Sequence, residues 1–226
     1  MVCNELPVAL WTAGSFLLSD HGRITAAHRV GKIVTSNLVV LNCRGYKLTV
    51  ENYRGYRADA DLSWRRVEQH WPRPSPIWQQ SLLAPGSLTH RLQALSGGTF
   101  RVRVVDEGWV QGSARTIPVF GKRKAAQIMW SRHVLLCGHG EPWVAAHSLI
   151  PFSSIQGSLR QLVRLRDRPL GGFLFRHPQL RRDEPELVRL PDHWGRRSVF
   201  HLQGKSLLVA EFFLPALIAQ IQQQRY

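Results

Sequence analysis

Apolar and polar residues alternate along several stretches of the second half of the chain, and short turns separate these stretches. Residues 99–110 alternate apolar with charged side chains, as expected for a sheet strand with one solvated face. Residues 127–137 and 143–151 also have strand patterns, and the turn-rich residues between them have the length of a hairpin connection. Further strand patterns lie at 179–190, 197–203 and 207–213. Together they predict an α+β fold with a six-stranded antiparallel sheet and inserted helices on one face.

Helical patterns and a proline-rich break complete the organisation. Ser87 is a suitable N-cap for a helix that starts at Leu88, and residues 154–166 return to helical spacing. Three prolines within residues 71–76 can continue neither a helix nor a central strand, so they indicate a boundary. Residues 1–61 contain short strand-like runs and little helical periodicity, from which no domain can be built.

One carboxylate, that of Glu211, interrupts the apolar strand 207–215. Because side chains alternate between the two faces of a strand, Glu211 shares a face with Leu207, Val209 and Phe213. A buried carboxylate is costly unless a cation or several donors meet it, and such acids concentrate at functional sites. Three interpretations stay open from the strand alone: a functional acid, a structural ion-pair partner, and an acid that a bulge turns outward.

Arg132 is a cation in a similar setting. The period of a strand places it on one face with Val134 and Leu136. A guanidinium can hold a carboxylate through two parallel hydrogen bonds, so an arginine on an apolar face calls for an acid. That acid is either Glu211 or a carboxylate of a substrate; a strand-edge arginine facing water is the third interpretation.

The charge of the chain predicts an anionic partner. There are 30 Lys and Arg residues against 15 Asp and Glu residues, which gives a formal net charge of +15. The basic residues are spread along the chain rather than concentrated in one tail. Nucleic acid and an anionic small molecule are therefore both compatible with the composition.

Cysteine, histidine and hydropathy patterns argue against several other classes. Cys3, Cys43 and Cys137 form an odd set without CxxC spacing, which argues against a disulfide framework or a zinc ribbon. His139 and His147 lack an adjacent ligand set, so no metal is predicted. The sequence contains neither a long apolar run nor a basic leader pattern, and we therefore expect a cytoplasmic protein without a membrane span.

Short motifs spread along the chain resemble the chorismate lyase family. They are Arg-His-Val-Leu-Leu-Cys at 132–137, Gly-Glu-Pro-Trp at 140–143, Ser-Leu-Ile-Pro at 148–151, Pro-Leu-Gly at 169–171, Trp-Gly-Arg-Arg-Ser at 194–198, Gly-Lys at 204–205 and Glu-Phe-Phe-Leu-Pro at 211–215. Residues 86–92 resemble the family's first core helix. The resemblance covers residues 62–218. It leaves 219–226 as a C-terminal tail and 1–61 as an N-terminal extension of unknown role, either disordered or the product of a misassigned start codon.

The resemblance implies a fold, a reaction and four site residues. The family has a six-stranded antiparallel sheet with helices on one face, and its active site is an internal cavity closed by helical flaps. It converts chorismate into 4-hydroxybenzoate and pyruvate without a metal or organic cofactor, for ubiquinone biosynthesis. By motif position, Arg132 grips the ring carboxylate and Glu211 faces the ring hydroxyl. Leu170 supplies a backbone contact, and Leu88 supplies an apolar contact from the first core helix.

The resemblance also implies a monomer whose partners are chorismate and 4-hydroxybenzoate rather than nucleic acid. Arg196 and Arg197 either attract the dianionic substrate or have a structural role. One alternative keeps the fold without the activity, namely the ligand-sensing domain of a bacterial transcription regulator. Residues 1–61 argue against it, because their glycine-interrupted runs do not resemble the amphipathic helices of a winged helix-turn-helix. His133 and Ser206 depart from the family pattern, but they lie outside the four mapped positions.

Overall fold

The part of the chain that the computed structural model describes consists of residues 55–113, 117–120 and 128–224, together with Val40–Leu41, Lys47–Leu48 and Tyr53. Most of the predicted extension 1–61 lies outside the described residues, and so do Cys3 and Cys43. The third cysteine, Cys137, is a buried free thiol.

Strands account for most of the described regular structure. They are β1 (Val40–Leu41), β2 (Lys47–Leu48), β3 (Arg101–Gln111), β4 (Ile128–Gly138), β5 (Glu141–Pro151), β6 (Arg181–Arg182), β7 (Glu186–Arg189), β8 (Trp194–Leu202) and β9 (Lys205–Phe213). The α-helices are α1 (Pro76–Leu82), α2 (Leu88–Leu95), α3 (Leu170–Leu174) and α4 (Pro215–Gln223). Short 3-10 helices cover Val67–Gln69, Ile117–Phe120, Phe152–Ser154 and Gly157–Arg164.

Seven of the described strands form one antiparallel sheet. Its order is β3-β4-β5-β9-β8-β6, and β7 also pairs with β8, while β1 and β2 pair with each other. The β8–β9 hairpin turns at Gln203 and Gly204, which both have positive φ (52° and 70°). Such a pair of angles is typical of a two-residue type I′ turn, and it fixes the register that places Leu202 opposite Lys205.

The α+β class and the antiparallel sheet are confirmed, but the sheet has seven strands where the sequence predicted six. The difference arises within residues 179–190, which were expected to form one strand. They form β6 and β7 instead, and both strands pair with β8. Pro185 lies between them, and because proline has no N–H to donate to a sheet it interrupts the ladder.

The helices cover one face of the sheet, as predicted. Leu82 of α1, Leu92 of α2 and Leu217 of α4 pack with Val134 and Phe213 in one buried cluster. At the start of α2, the Ser87 hydroxyl accepts a hydrogen bond from the His90 N–H, which confirms the predicted N-cap. None of the described helices is long and apolar enough to cross a membrane.

The opposite face of the sheet is covered by residues that precede the helices. Tyr53 and Ala58 belong to a buried cluster with Leu135, Leu208 and Phe212, and Tyr56, Leu62 and Trp64 pack against it. The backbone of Ala58 is held by two side chains of the sheet. His147 Nδ1 accepts from the Ala58 N–H at 2.8 Å, and Arg197 Nη1 donates to the Ala58 carbonyl at 3.3 Å. Both faces of the central strands are therefore buried.

Candidate active site

A cavity lies between the sheet and the helices. The space is narrow, and its empty volume is about 570 Å³. The first residues of α2 and α3 form its helical side, and alternate residues of four long strands and β6 contribute to its sheet side. A small molecule that enters this cavity must contact both layers.

Two cross-strand rows of residues form the sheet side. Direct neighbours across an antiparallel sheet point to the same face, so the side chains within each row are adjacent. The first row runs Arg132, Ser148, Val209, Ser198, and the second runs Val134, Ala146, Glu211, Arg196. The predicted faces of Arg132 and Glu211 are both confirmed, because Val134, Leu136 and Val209 line the same cavity.

Glu211 forms a largely buried ion pair, and its partner is Arg196. Glu211 Oε2 accepts a hydrogen bond from Arg196 Nε at 2.6 Å, and the two side chains are 15% and 3% exposed. Arg196 Nη1 also donates to the Leu82 carbonyl at 2.7 Å, and its guanidinium carbon lies 5.2 Å from the centre of the Phe213 ring. Arg196 therefore holds the Glu211 carboxylate in a fixed position beside the cavity.

Arg132 forms its ion pair with Glu107 of β3 rather than with Glu211. Its Nε lies 3.4 Å from Glu107 Oε2 of β3, and its Nη2 donates to the carbonyl oxygens of Arg166 (2.5 Å) and Arg168 (3.2 Å). Burial lowers the pKa of Arg132, and the Glu107 carboxylate opposes that shift. The suggestion that Glu211 is the counter-ion of Arg132 is wrong, because the register pairs each of them with a different residue.

Leu88 and Leu170, the other two predicted site residues, line the cavity from the helical side. Each is the first residue of its helix, α2 and α3 respectively. The two helix starts approach closely at Gly171, where an added Cβ would lie 2.6 Å from Thr89 Oγ1. A glycine at this position therefore lets α2 and α3 meet over the cavity.

Arg182 of β6 also lines the cavity, and the sequence reasoning missed it. Its Nε donates to Ser198 Oγ at 3.0 Å, and its guanidinium carbon lies 5.5 Å from the centre of the Phe200 ring. Burial lowers its pKa to about 10; the charge of Arg196 adds to this shift and Glu211 opposes it. No sequence signal distinguished Arg182, because β6 is only two residues long and its neighbour Arg181 is equally basic.

Arg196 and Arg197 have separate roles, because adjacent strand residues point to opposite faces. Arg196 lines the cavity, whereas Arg197 lies on the other face, where its Nε contacts Glu186 at 2.6 Å and its guanidinium stacks on Trp64. A signal for the Arg196–Glu211 pair was present in the sequence. A tight turn at 203–204 places residues six positions before Leu202 and six after Lys205 opposite each other.

Among the described residues, no group of three or more His, Cys, Asp or Glu side chains is arranged to hold a metal ion. The polar groups that line the cavity are instead three arginines, one carboxylate and hydroxyl groups. Such a donor set suits a small anionic organic molecule.

The sequence model of the family described as chorismate lyase matches residues 59–223. The chain belongs to the chorismate lyase family. A chorismate pyruvate-lyase of Enterobacter sp. (strain 638) is 37% identical over 147 residues, and one of Escherichia coli (strain K12 / DH10B) is 39% identical over the same length. Both alignments cover 64% of this chain and 87% of the relative. These matches confirm the family resemblance that the short motifs indicated.

One solved structure is similar to part of this chain. It is the ligand-binding domain of a putative GntR-family transcriptional regulator from Bordetella bronchiseptica. It is 14% identical, and the match covers 51% of this chain and 84% of that chain with a TM-score of 0.41. A similarity this weak carries no argument about function.

Proposed function

We propose that this protein is a chorismate pyruvate-lyase that converts chorismate into 4-hydroxybenzoate and pyruvate for ubiquinone biosynthesis. The observation that carries the proposal is that Leu88, Arg132, Leu170 and Glu211 all line one narrow cavity. They come from four separate elements of a chain that belongs to the chorismate lyase family. We further propose that the enzyme acts as a cytoplasmic monomer without a metal or organic cofactor.

The reaction requires the loss of two groups from the ring. The C3–O bond breaks and its electron pair goes to the departing enolpyruvate oxygen, while a proton leaves C4 and its bonding electrons complete the aromatic ring. The enolpyruvate then takes up a proton on carbon and becomes pyruvate. Aromatisation favours the reaction, so the tasks left to the protein are to position the substrate, exclude water and stabilise the departing negative charge.

In this proposal, Arg132 orients the ring by binding its carboxylate. The Arg132 guanidinium is almost fully buried, and the carbonyls of Arg166 and Arg168 fix its position. A charge-assisted contact from a fixed guanidinium restricts both the location and the plane of a bound carboxylate. Leu88 and Leu170 then pack against the ring from the helical side and keep water away from it.

Glu211 faces the ring hydroxyl and helps move the C4 proton. Its Oε2 is engaged by Arg196, while Oε1 accepts no hydrogen bond from any described side chain and is available to the substrate. A positioned carboxylate that takes part in proton transfer contributes about 10²- to 10⁴-fold to a rate. Arg196 keeps the carboxylate from rotating away.

An assay of the purified chain with chorismate tests the proposal. In the presence of EDTA, 4-hydroxybenzoate and pyruvate should appear in equal amounts, because the site relies on protein side chains. Formation of prephenate or an aminobenzoate, or no turnover at all, would contradict it. Binding of chorismate or 4-hydroxybenzoate without turnover, together with salt-sensitive DNA binding, would favour a sensor domain instead.

A further inference from the structure

The cavity contains more positive than negative charge among its described residues. Arg132 is compensated by Glu107 at 3.4 Å, and Arg196 is compensated by Glu211 at 2.6 Å. Arg182 has no carboxylate within 4.0 Å in the described part of the chain, and its contacts there are the Ser198 hydroxyl and the Phe200 ring. Among the described residues, Arg182 is therefore the arginine of the cavity that has no counter-ion.

A buried cation without a counter-ion is costly, because desolvation is not offset by an opposite charge. Arg182 is partly buried, and the nearby charge of a second arginine, Arg196, adds to that cost. A bound anion would remove it. The guanidinium of Arg182 lines the cavity, so an anion within the cavity can reach it.

The position of Arg182 relative to Arg132 matches a molecule with two anionic ends. Arg132 begins the first cross-strand row, and Ser198, the hydrogen-bond partner of Arg182, ends it. The strands of Arg132 and Arg182, β4 and β6, are four strand spacings apart, which corresponds to roughly 19 Å between backbones. Two long side chains that extend into the cavity shorten this span to the scale of a small molecule.

We propose that Arg182 binds the carboxylate of the enolpyruvyl side chain, the second anionic group of the substrate. The inference rests on the proposed function and adds the residue that distinguishes substrate from product. Arg196 is the less suitable candidate, because Glu211 already compensates its charge and two of its donors are engaged by Glu211 and the Leu82 carbonyl. Arg182 also stays beside the leaving group while negative charge develops on its oxygen.

The assignment has a consequence for the two ligands. Chorismate contacts both Arg132 and Arg182, whereas 4-hydroxybenzoate has lost the enolpyruvyl group and, of these two arginines, contacts only Arg132. Loss of Arg182 should therefore weaken the use of chorismate and leave the binding of 4-hydroxybenzoate in place. A purely structural role for Arg182 would affect both ligands together.

The test is the variant Arg182→Gln, with Arg181→Gln as its matched control. Arg181 is the preceding residue of the same strand, its side chain is exposed, and its loss changes the net charge equally. For Arg182→Gln, kcat/KM for chorismate should fall about 30-fold or more, because one partner of a buried charged contact is lost. Its Kd for 4-hydroxybenzoate should change less than about 3-fold, as should both quantities in Arg181→Gln.

The other outcomes are also decisive. If the parent protein makes 4-hydroxybenzoate but Arg182→Gln retains its kcat/KM, the inference is wrong and the proposed function stands. A parallel loss of 4-hydroxybenzoate affinity and melting temperature would assign Arg182 to the framework of the cavity and overturn the inference too. Should Arg182→Gln fail to fold, Arg182→Lys keeps the charge without the planar fork. It should then show a reduced kcat/KM with unchanged 4-hydroxybenzoate binding, and an unchanged kcat/KM would contradict the inference.

Discussion

At the scale of single residues, the site is a set of arginines whose donors are already partly used. Arg132 donates hydrogen bonds to two backbone carbonyls, and Arg196 donates to Glu211 and to one backbone carbonyl. These contacts orient each guanidinium before a ligand arrives, which reduces the ordering that binding requires. Of the described residues that line the cavity, Glu211 is the one carboxylate, and Arg196 binds it through one oxygen.

Replacement of Arg132 should weaken substrate and product equally. Arg132→Ala removes the contact to the ring carboxylate that both ligands share, and the expected loss is about 2 to 5 kcal/mol for each. Isothermal titration with 4-hydroxybenzoate and steady-state kinetics with chorismate measure it. Arg101→Ala, which removes an exposed arginine of the neighbouring strand β3, is the control. A folded Arg132→Ala protein that binds 4-hydroxybenzoate as tightly as the parent would exclude Arg132 from this role.

Replacement of Glu211 separates catalysis from charge balance. Glu211→Gln keeps the shape but loses the charge, so kcat should fall about 100-fold or more while product affinity changes little. The variant should also lose stability, because Arg196 is left in a buried place without its counter-ion.

The double variant Glu211→Gln, Arg196→Gln provides the control for that loss. It removes both charges, so its melting temperature should recover relative to the single variant while kcat stays low. If kcat recovers together with stability, Glu211 acts only as a structural partner of Arg196.

At the scale of elements, the cavity depends on how closely the starts of α2 and α3 approach. Gly171 follows Leu170 in α3 and faces Thr89 of α2, so both helices place a site residue next to their point of contact. A separation of these helix starts would move Leu88 and Leu170 away from the ligand together.

Gly171→Ala should disturb this contact. The new Cβ would lie 2.6 Å from Thr89 Oγ1, which forces a shift that costs about 1 to 3 kcal/mol in stability and weakens 4-hydroxybenzoate binding. Gly172→Ala is the matched control, since its Cβ would meet only Pro169 Cγ at an ordinary 3.6 Å. Both variants gain the same helix propensity, so the difference in melting temperature isolates the clash. Equal melting temperatures for the two would mean that the helices can separate freely at this point.

At the scale of the whole molecule, His147 connects the sheet to the layer that covers its second face. His147 Nδ1 accepts the Ala58 N–H, so the ring is neutral with its proton on Nε2, 2.9 Å from Ser131 Oγ. The ring also stacks on His133, with 3.8 Å between centroids. Burial lowers the pKa of His147 well below its usual value, and the charges of His133 and Arg57 add to the shift.

This arrangement predicts a pH-dependent stability. Below a pH of about 6.5 the unfolded chain binds a proton at His147 and the folded chain does not. The free energy of unfolding is therefore unaffected by His147 above that pH and decreases as the pH falls below it. One such proton gives a slope of at most about 1.4 kcal/mol per pH unit. Melting temperatures from pH 5 to 7.5 measure it, with His147→Gln expected to flatten the profile and exposed His90→Gln expected to leave it unchanged. A profile of the same slope in His147→Gln would assign the effect to other groups.

Much of the fold and part of the site followed from the sequence, because they depend on local periodicity. Alternation predicted the antiparallel sheet and the shared face of Glu211 and Val209. The Arg196–Glu211 pair was not predicted, although it follows from a two-residue turn at Gln203 and Gly204. Pro185, which is visible in the sequence, accounts for the division of one expected strand into β6 and β7. Motif resemblance assigned Leu88, Arg132, Leu170 and Glu211 to one site, and all four line the same cavity.

Tertiary structure decided the contacts between elements that are far apart in sequence. The link from β3 to β4 is not a tight turn, so its register, and with it the pairing of Arg132 with Glu107, could not be derived locally. Arg182 lies on a two-residue strand that reaches the cavity only because β8 pairs with it. Such positions depend on how the whole chain packs, since a short basic segment has the same local pattern in a loop, on a surface or in a buried site.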